Sequence, residues 1–598
     1  MLLAVIFNYT IQRGSSIPNS LLTGAVLFQI LVLTSIFMLI YAIINRYVIS
    51  SLLIIVVFST FSIANAVKFS EREEPIYLSD VSWLKNPSTL LSFVNISLII
   101  IVAVVFVVIC TFAVFIIRKK WFKGKLMSWK ARSATLFVFL LVFVPLANIF
   151  ANYPLPNNLT DSASSGKQIQ IPVLTAFVNS DAANLWFGNA TVSSRNSLSF
   201  VWLKTAFGKI MEEPKSYSQS SIEKIDKKYL QLAGQMNQTR VHEITDQTVI
   251  YVLSESLSDP RRVPGVTVSQ NPLNNIEKMM QENTGGSMLS NGYGGGTANM
   301  EIQSLTGMPM NFFTSSVANI NNDVLPRMPF IPSISDEFSD KIALHPENAK
   351  NYDRNVIYDR LGFQHFYAMW GTTKEDTLTN QTMLDGRVDD AQTYKDVLDK
   401  IDTNKTQFFS VLTMQNHMPY DAYTGDSKIT ATGVGFDKWT NNQLQNYTRK
   451  VSTSDQATQD FLDALKKIDK RITVVFYGDH LPGFYPSDIF NDNPEAQFLT
   501  DYFIWTNQGN AKNSHDTLNS AEFTPKLLET TNSKVSPYQA LLTEVMQKVP
   551  AEFDTRFSGD LKLNAEQKQL ISDLKMVQYD LTAGKHYLTA KSSFFKVQ

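Results

Sequence analysis

Ser290-Asn-Gly-Tyr-Gly-Gly-Gly-Thr-Ala-Asn-Met-Glu-Ile-Gln-Ser-Leu-Thr-Gly307 joins a glycine run to a stretch whose apolar spacing (Ala298, Met300, Ile302, Leu305) suits a short helix. Three successive glycines let the backbone take positive φ and come close to a ligand. A helix opening behind them aims free N–H groups and a positive dipole end at that ligand. Thr297, the hydroxyl that follows the run, stands where it can lose a proton and face an anion. It also reads as the ordinary N-cap of the same helix. The stretch alone leaves both readings open.

Around it the pattern alternates. Strands are expected at Thr248–Leu253, Ser287–Ser290, Lys341–Leu344, Phe408–Thr413, Ile472–Tyr477 and Tyr502–Trp505. Helices are expected at Ser220–Leu232, Asn274–Gln281, Val388–Ile401, Thr453–Ile468 and Pro537–Gln547. Short apolar strands alternating with helices predict an α/β domain with a mostly parallel sheet covered by helices on both faces. In such sheets ligands bind beyond the carboxyl ends of the strands.

Four of those ends carry chemistry. Glu255 follows the first strand, His345 and Glu347 follow the third, His417 follows the fourth, and Asp479 and His480 follow the fifth. Each alone reads as a packed histidine or a surface carboxylate; together with Thr297 they point to one site. Glu255, Asp479, His480 and the Thr297 oxygen would make a four-ligand set of mixed O and N donors. That set favours a hard or borderline divalent ion: Mn²⁺, Mg²⁺ or Zn²⁺. An ion there would lower the pKa of Thr297 and make a poor nucleophile a useful one. His345 and His417 remain to bind a phosphate or protonate a leaving oxygen.

The first 150 residues are of another kind. Apolar runs at Leu21–Ile44, Ile49–Val67, Phe93–Ile117 and Ala134–Asn152 each approach the ~20 residues a membrane-spanning helix needs. Met1–Ile11 is apolar but shorter, so about five spans are expected. The segment Arg118–Arg132 is basic and free of acids, while Lys68–Ser92 carries Glu71, Glu73, Glu74 and Asp80. The basic loop is therefore expected inside, and everything after Asn152 outside. Tyr153–Gly166 reads as a linker, at which the outer part could be released by cleavage. Asn196–Ile210 reads as a helix lying on the membrane with Trp202 near the headgroups, or packed on the next domain. The expected division is 1–152 transmembrane, 153–240 linker and juxtamembrane helices, 241–550 catalytic domain and 551–598 C-terminal extension.

Net charge is -1, which gives no electrostatic case for nucleic acid. The single cysteine, Cys110 in an apolar run, allows no intramolecular disulfide. An outer domain would be stable without one, as in bacteria that use few.

The order Val-Ile-Tyr-Val-Leu-Ser-Glu-Ser (249–256), Gly-Gly-Gly-Thr-Ala-Asn-Met-Glu (294–301), Asn-His-Met-Pro-Tyr (416–420) and Phe-Tyr-Gly-Asp-His-Leu-Pro-Gly (476–483) resembles the lipoteichoic acid synthase family. Its members are polytopic phosphoglycerol transferases of Gram-positive cell membranes with an extracellular sulfatase-like (alkaline-phosphatase-like) domain. The resemblance implies that Glu255, Thr297, Asp479 and His480 hold manganese and that Thr297 carries the glycerophosphoryl group. It implies that His345, Glu347, Tyr352, Arg354 and His417 bind the phosphoglycerol. The donor it implies is phosphatidylglycerol, and the acceptor a glycolipid or growing lipoteichoic acid chain. Glu347 stands where the family has aspartate and Tyr352 where it has tryptophan, so the pocket departs from the pattern. The alternatives are glycerol phosphate or phosphoethanolamine transfer to a wall polysaccharide or lipid, and an inactive membrane-anchored binding protein. Thr297-Ala-Asn-Met-Glu lacks the proline and arginine of a sulfatase nucleophile motif.

Overall fold

The computed structural model describes residues 2–13, 24–72, 75–77, 125–151, 197–314, 319–486, 488–508, 514–555 and 557–597, with isolated positions between 111 and 119 and at 193 and 317. The chain forms two compact units: Met1–Ile210 with Thr314–Ala318, and Met211–Phe313 with Asn319–Gln598.

The first unit contains helices α1 (Leu2–Arg13), α2 (Gly24–Ile44), α3 (Tyr47–Arg72), α4 (Trp129–Ala151) and α5 (Leu198–Phe207). Among the described residues three segments are long and apolar enough to cross a membrane: Val26–Ile44, Tyr47–Ala66 and Trp129–Ala151. They match three of the expected runs. The run at 93–117, the linker at 153–166 and most of the acidic loop lie outside the described residues. Asn45, between α2 and α3, accepts from Met127 N at 2.7 Å and donates to Met127 O at 3.0 Å. The short turn and the basic segment before α4 therefore sit at the same helix ends. Helix α5 is opened by Ser197, whose side chain accepts from Phe200 N. It packs on the apolar helices: Phe200 lies 5.1 Å from Phe150 and Trp202 4.9 Å from Phe61, centroid to centroid.

The second unit runs α6 (Gln219–Met236), β1 (Thr248–Ser254), β2 (Val266–Val268), α7 (Asn274–Glu282), β3 (Thr284–Leu289), α8 (Thr297–Thr306), β4 (Asp340–Asn348), α9 (Arg354–Arg360) and β5 (His365–Trp370). It continues through β6 (Met383–Leu384), β7 (Arg387–Val388), α10 (Asp390–Leu398), β8 (Gln407–Leu412), β9 (Ala431–Gly433), α11 (Lys438–Leu465) and β10 (Ile472–Gly478). It ends with β11 (Leu499–Thr506), β12 (Leu518–Asn519), α12 (Phe523–Thr530), α13 (Pro537–Lys548) and α14 (Ala565–Thr582).

Eight strands form one sheet in the order β12-β3-β11-β10-β1-β8-β4-β5. All neighbours run parallel except at β11, which is antiparallel to both β10 and β3. Every residue of β1 and β10 is buried, because helices cover both faces and an unbroken apolar run is what such a strand requires. Ile250, Val252, Phe409, Val411, Val474 and Phe476 meet Tyr447, Val451 and Phe461 of α11 in the core on one face. On α8, every residue from Ala298 to Thr306 is buried.

Some elements differ from expectation. Strand β4 runs to Asn348, so His345 and Glu347 lie inside a strand rather than beyond it. Edge strand β5, absent from the expected set, pairs with β4 on one side and on the other meets the following loop through a single bridge, Ala368 to Thr377. Helix α11 begins at Lys438 rather than Thr453. Its first half is rich in Asn, Gln and Thr, and its buried apolar residues there are the Leu444, Tyr447, Val451 stripe. Asp437 caps it, accepting from Thr440 N at 2.7 Å.

Helix α14 packs on the segment that precedes the sheet: Asp573 accepts from Lys228 Nζ at 2.7 Å and Tyr229 OH at 2.8 Å. Residues from Met211 on and the C-terminal 551–598 thus share one unit with the sheet.

Candidate active site

Strand register brings the first two acids together. β1 and β10 are parallel neighbours with Ser254 opposite Gly478, so Glu255 and Asp479 emerge side by side. His480 is next in the chain. Gly294, Gly295 and Gly296 all hold positive φ (+64°, +156°, +103°), which only glycine adopts freely. A Cβ on Gly294 would stand 2.7 Å from Gly483 Cα, so the run packs backbone to backbone against the loop after His480. That contact delivers Thr297 to the same point.

Thr297 is not the N-cap of α8. Gly296 takes that place without a side-chain bond, and Thr297 is the first helical residue. The turn's positive φ advances the helix start by one position and frees the hydroxyl. Thr297 Oγ1 donates to Glu255 Oε2 at 3.1 Å and lies 3.3 Å from His480 Nε2.

Ligand atoms of Glu255, Asp479 and His480 all lie within 4.8 Å of one another, and the three residues are buried. His480 Nε2 is 3.7 Å from Glu255 Oε1 and 3.3 Å from Asp479 Oδ2. Asp479 Oδ1 accepts from Ser256 N at 2.7 Å and His480 N at 2.9 Å, while Oδ2 is buried with no well-aligned donor. His480 Nδ1 faces Leu481 O at 2.9 Å, which turns Nε2 toward the acids, the arrangement of metal-ligating histidines. Burial and then the Glu255 charge push Asp479 up to about 7. Burial opposes ionisation of Glu255, but His417 and His480 outweigh it and hold its carboxyl low. Burial disfavours a charged His480, yet Asp479 and Glu255 raise its pKa. Two acids, an imidazole and a hydroxyl converging with one carboxylate oxygen undonated fit a divalent cation.

The residues expected to bind phosphoglycerol form a second group. Helix α8 presents Glu301 one turn below Thr297, four residues on and so on the same face. Glu301 Oε2 accepts from Arg354 Nε at 2.8 Å, and Oε1 from Tyr358 OH at 2.7 Å. Arg354 and Glu301 are each 2% exposed; losing either would strand a buried charge, at about 3–5 kcal/mol. Tyr352 and Asp353 precede Arg354 in left-handed conformation (φ +58° and +55°), which non-glycine residues hold only when their surroundings fix it. Asn321 and Asn322 do so, donating to Tyr352 O at 3.3 Å and Asp353 Oδ2 at 3.0 Å. The Arg354 guanidinium lies 5.0 Å over the Tyr352 ring.

His345 is buried and its Nδ1 has no hydrogen-bond partner. Burial first, then the Arg354 charge, hold it neutral well below the ordinary histidine range. His417 and Arg387 also act on it, and His417 acts on Glu255, so the two groups adjoin. Glu347 Oε2 accepts from Arg387 Nη1 at 3.0 Å. Arg387 Nη2 lies 3.1 Å from His417 Nδ1 and donates to Met418 O at 2.9 Å.

All nine residues singled out in the sequence thus fall in two adjoining groups. The sequence reading missed Glu301, whose i, i+4 spacing from Thr297 was a usable signal, and Arg387, Asn321 and Asn322, which carried none.

A family model described as Sulfatase matches residues 247–533. Among solved structures the chain is similar to the Streptococcus pyogenes phosphoglycerol transferase GacH in complex with sn-glycerol-1-phosphate, with 44% identity and a TM-score of 0.62 over 65% of this chain and 100% of that one. A Rhizobium meliloti protein named for cyclic beta-1,2-glucan modification is 25% identical over 374 residues, 58% of this chain and 56% of its own length. The capsular polysaccharide biosynthesis protein RkpI of the same organism is 29% identical over 166 residues, 27% of each. The chain thus spans about half the length of the first of these curated relatives and about a quarter of the second. The family model over residues 247–533 and the match along the whole of a 44% identical chain give this protein a domain of the sulfatase family.

Proposed function

We propose that this protein is a membrane-anchored phosphoglycerol transferase that moves glycerol phosphate from phosphatidylglycerol to an acceptor hydroxyl through a glycerophosphoryl-threonine. The observation that carries the reading is Thr297, released from capping its own helix and hydrogen-bonded to Glu255 beside His480. The similarity to a phosphoglycerol transferase solved with sn-glycerol-1-phosphate favours phosphoglycerol over phosphoethanolamine.

Glu255, Asp479, His480 and Thr297 would hold a divalent ion, Mn²⁺ by the family resemblance; bound there, it lowers the hydroxyl's pKa and offsets phosphate charge. The chain's own groups do the rest. Thr297 Oγ1 gives its proton to Glu255 Oε2, to which it is hydrogen-bonded, and attacks phosphorus, and the bond from phosphorus to the diacylglycerol oxygen breaks. His417, more open than His345, donates the proton that the departing alkoxide takes. Arg354, aimed by Glu301, pairs with the phosphate. The uncharged His345 leaves its free Nδ1 to accept from a substrate hydroxyl. An acceptor hydroxyl then attacks the same phosphorus and gives its proton to His417, while Glu255 returns the first proton to Thr297 Oγ1. The relatives named for glucan and capsular polysaccharide favour a saccharide acceptor; the growing lipoteichoic acid chain is the second reading.

Incubation of the membrane protein with phosphatidylglycerol labelled in its headgroup tests this. Release of diacylglycerol with label passing to a saccharide or polyglycerol phosphate product is expected. No headgroup loss, or transfer only when phosphatidylethanolamine is supplied in its place, would contradict it.

The catalytic unit lies outside the cell in this reading. Support comes from Asn45 bonding the basic segment at Met127, which sets both at one membrane face. With Cys110 replaced by serine, a membrane-impermeant thiol reagent should miss a cysteine at position 125 and label one at 164 in intact cells. Labelling at 125 would reverse the orientation.

A further inference from the structure

Six large apolar side chains of the second unit are exposed among the described residues: Val241, Trp370, Met383, Met418, Val434 and Trp439. Trp370, Met383 and Met418 adjoin the phosphoglycerol group. Trp370 ends β5 and is the register partner of Asn348, beside Glu347, and its carbonyl accepts from Ala349 N at 3.2 Å. Met383 pairs with Val388, beside Arg387. Met418 gives its carbonyl to Arg387. Arg387 ties these positions together: its fork spans Glu347 and the Met418 carbonyl, on a two-stranded ribbon (β6–β7) that is not part of the main sheet.

We infer that Trp370, Arg387 and Glu347 form the acceptor subsite and that it takes a sugar ring, an inference that rests on the transferase reading above. A pyranose has an apolar C–H face and an equatorial belt of hydroxyls. An indole 56% exposed suits the face, since aromatic rings bury large apolar area while few other side chains can lie flat on a ring. A half-buried guanidinium–carboxylate pair suits the belt, offering donors and acceptors in fixed directions. A membrane surface is the less suitable occupant. From Gly371 to Asp389 the segment carries Glu375, Asp376, Asp385 and Asp389 against only Lys374 and Arg387, and acidic surface is repelled by anionic lipid.

The reaction at this subsite is the second half of transfer. A sugar hydroxyl oxygen bonds to phosphorus as the Thr297 Oγ–phosphorus bond breaks, the hydroxyl proton passing to His417 and Thr297 Oγ1 taking one from Glu255. Glu347 and Arg387 act as positioning and recognition groups, with His417 held beside them.

The test uses the full membrane protein with phosphatidylglycerol as donor, and β-1,2-glucan and free glycerol as alternative acceptors. Trp370→Ala should raise KM for the glucan about tenfold, the loss of one stacked ring, with KM for glycerol and kcat at saturating glucan within twofold. Arg387→Ala should likewise raise KM for the glucan, and Arg387→Lys should restore only part, because an ammonium cannot reproduce the fork; an unchanged glycerol reaction is expected of Trp370→Ala alone, since Arg387 also touches His417. Unchanged glucan KM in both alanine variants would overturn the inference. So would an unmutated protein that transfers to glycerol but not to the glucan. Weakened binding of Trp370→Ala to phosphatidylglycerol vesicles, with glucan KM unchanged, would assign the rim to lipid and overturn it as well. Failure of the transferase reading looks different: the unmutated protein would then release no diacylglycerol with either acceptor.

Discussion

Thr297→Ala should reduce transfer by more than about 10³-fold, as removal of a covalent nucleophile does elsewhere, while the protein stays folded. The two effects separate because of where the hydroxyl points. Its neighbours are Glu255 and His480, and the cap position belongs to Gly296. The helix therefore loses no cap, and the stability change should stay within about 1 kcal/mol, the net worth of one hydrogen bond. Thr297→Ser keeps the hydroxyl and should retain part of the activity. Thermal denaturation and diacylglycerol release on the same samples check both halves. Wild-type rates in Thr297→Ala would remove Thr297 from the chemistry.

Asp479→Asn should remove the bound ion without unfolding the site. Two backbone N–H groups hold Oδ1, and the asparagine oxygen can take that place. The amide nitrogen then replaces Oδ2, the buried oxygen without a donor. An amide N–H₂ has no lone pair to give and no charge to offset the cation. Elemental analysis should fall from about one divalent ion per chain, the ion that a site of this kind holds, to near none. Added Mn²⁺ should raise the melting temperature of the unmutated protein and leave the variant unmoved, because only a ligand that binds the native state stabilises it. Equal metal content in the two proteins would refute the ligand set. Transfer should fall in parallel, but the metal content is the deciding quantity.

The central fold was legible because its strands are buried on both faces. β1 and β10 read as unbroken apolar runs, and their register alone sets Glu255 beside Asp479. The glycine run was legible because three consecutive positive-φ positions admit little else. What was not legible depended on tertiary contact. Thr297 fits an N-cap by type, and only the dihedral of Gly296 moves the cap one residue back. The first half of α11 is polar by composition, and its helix follows from a narrow stripe pressed on the core. Arg387 sits on a two-residue strand in a polar stretch, and nothing local distinguishes it from a surface arginine until Glu347 and Met418 are brought to it. Glu301 was within reach: a buried acid one turn from the threonine has to find a cation, and Arg354 is that cation.

The most direct test is the mass of the peptide containing Thr297 after the protein has met phosphatidylglycerol with acceptor withheld. A glycerophosphoryl adduct on Thr297, absent from Thr297→Ala and discharged when acceptor is added, is the result this account predicts. Diacylglycerol released at the normal rate by Thr297→Ala, with no adduct on the unmutated protein, would contradict it.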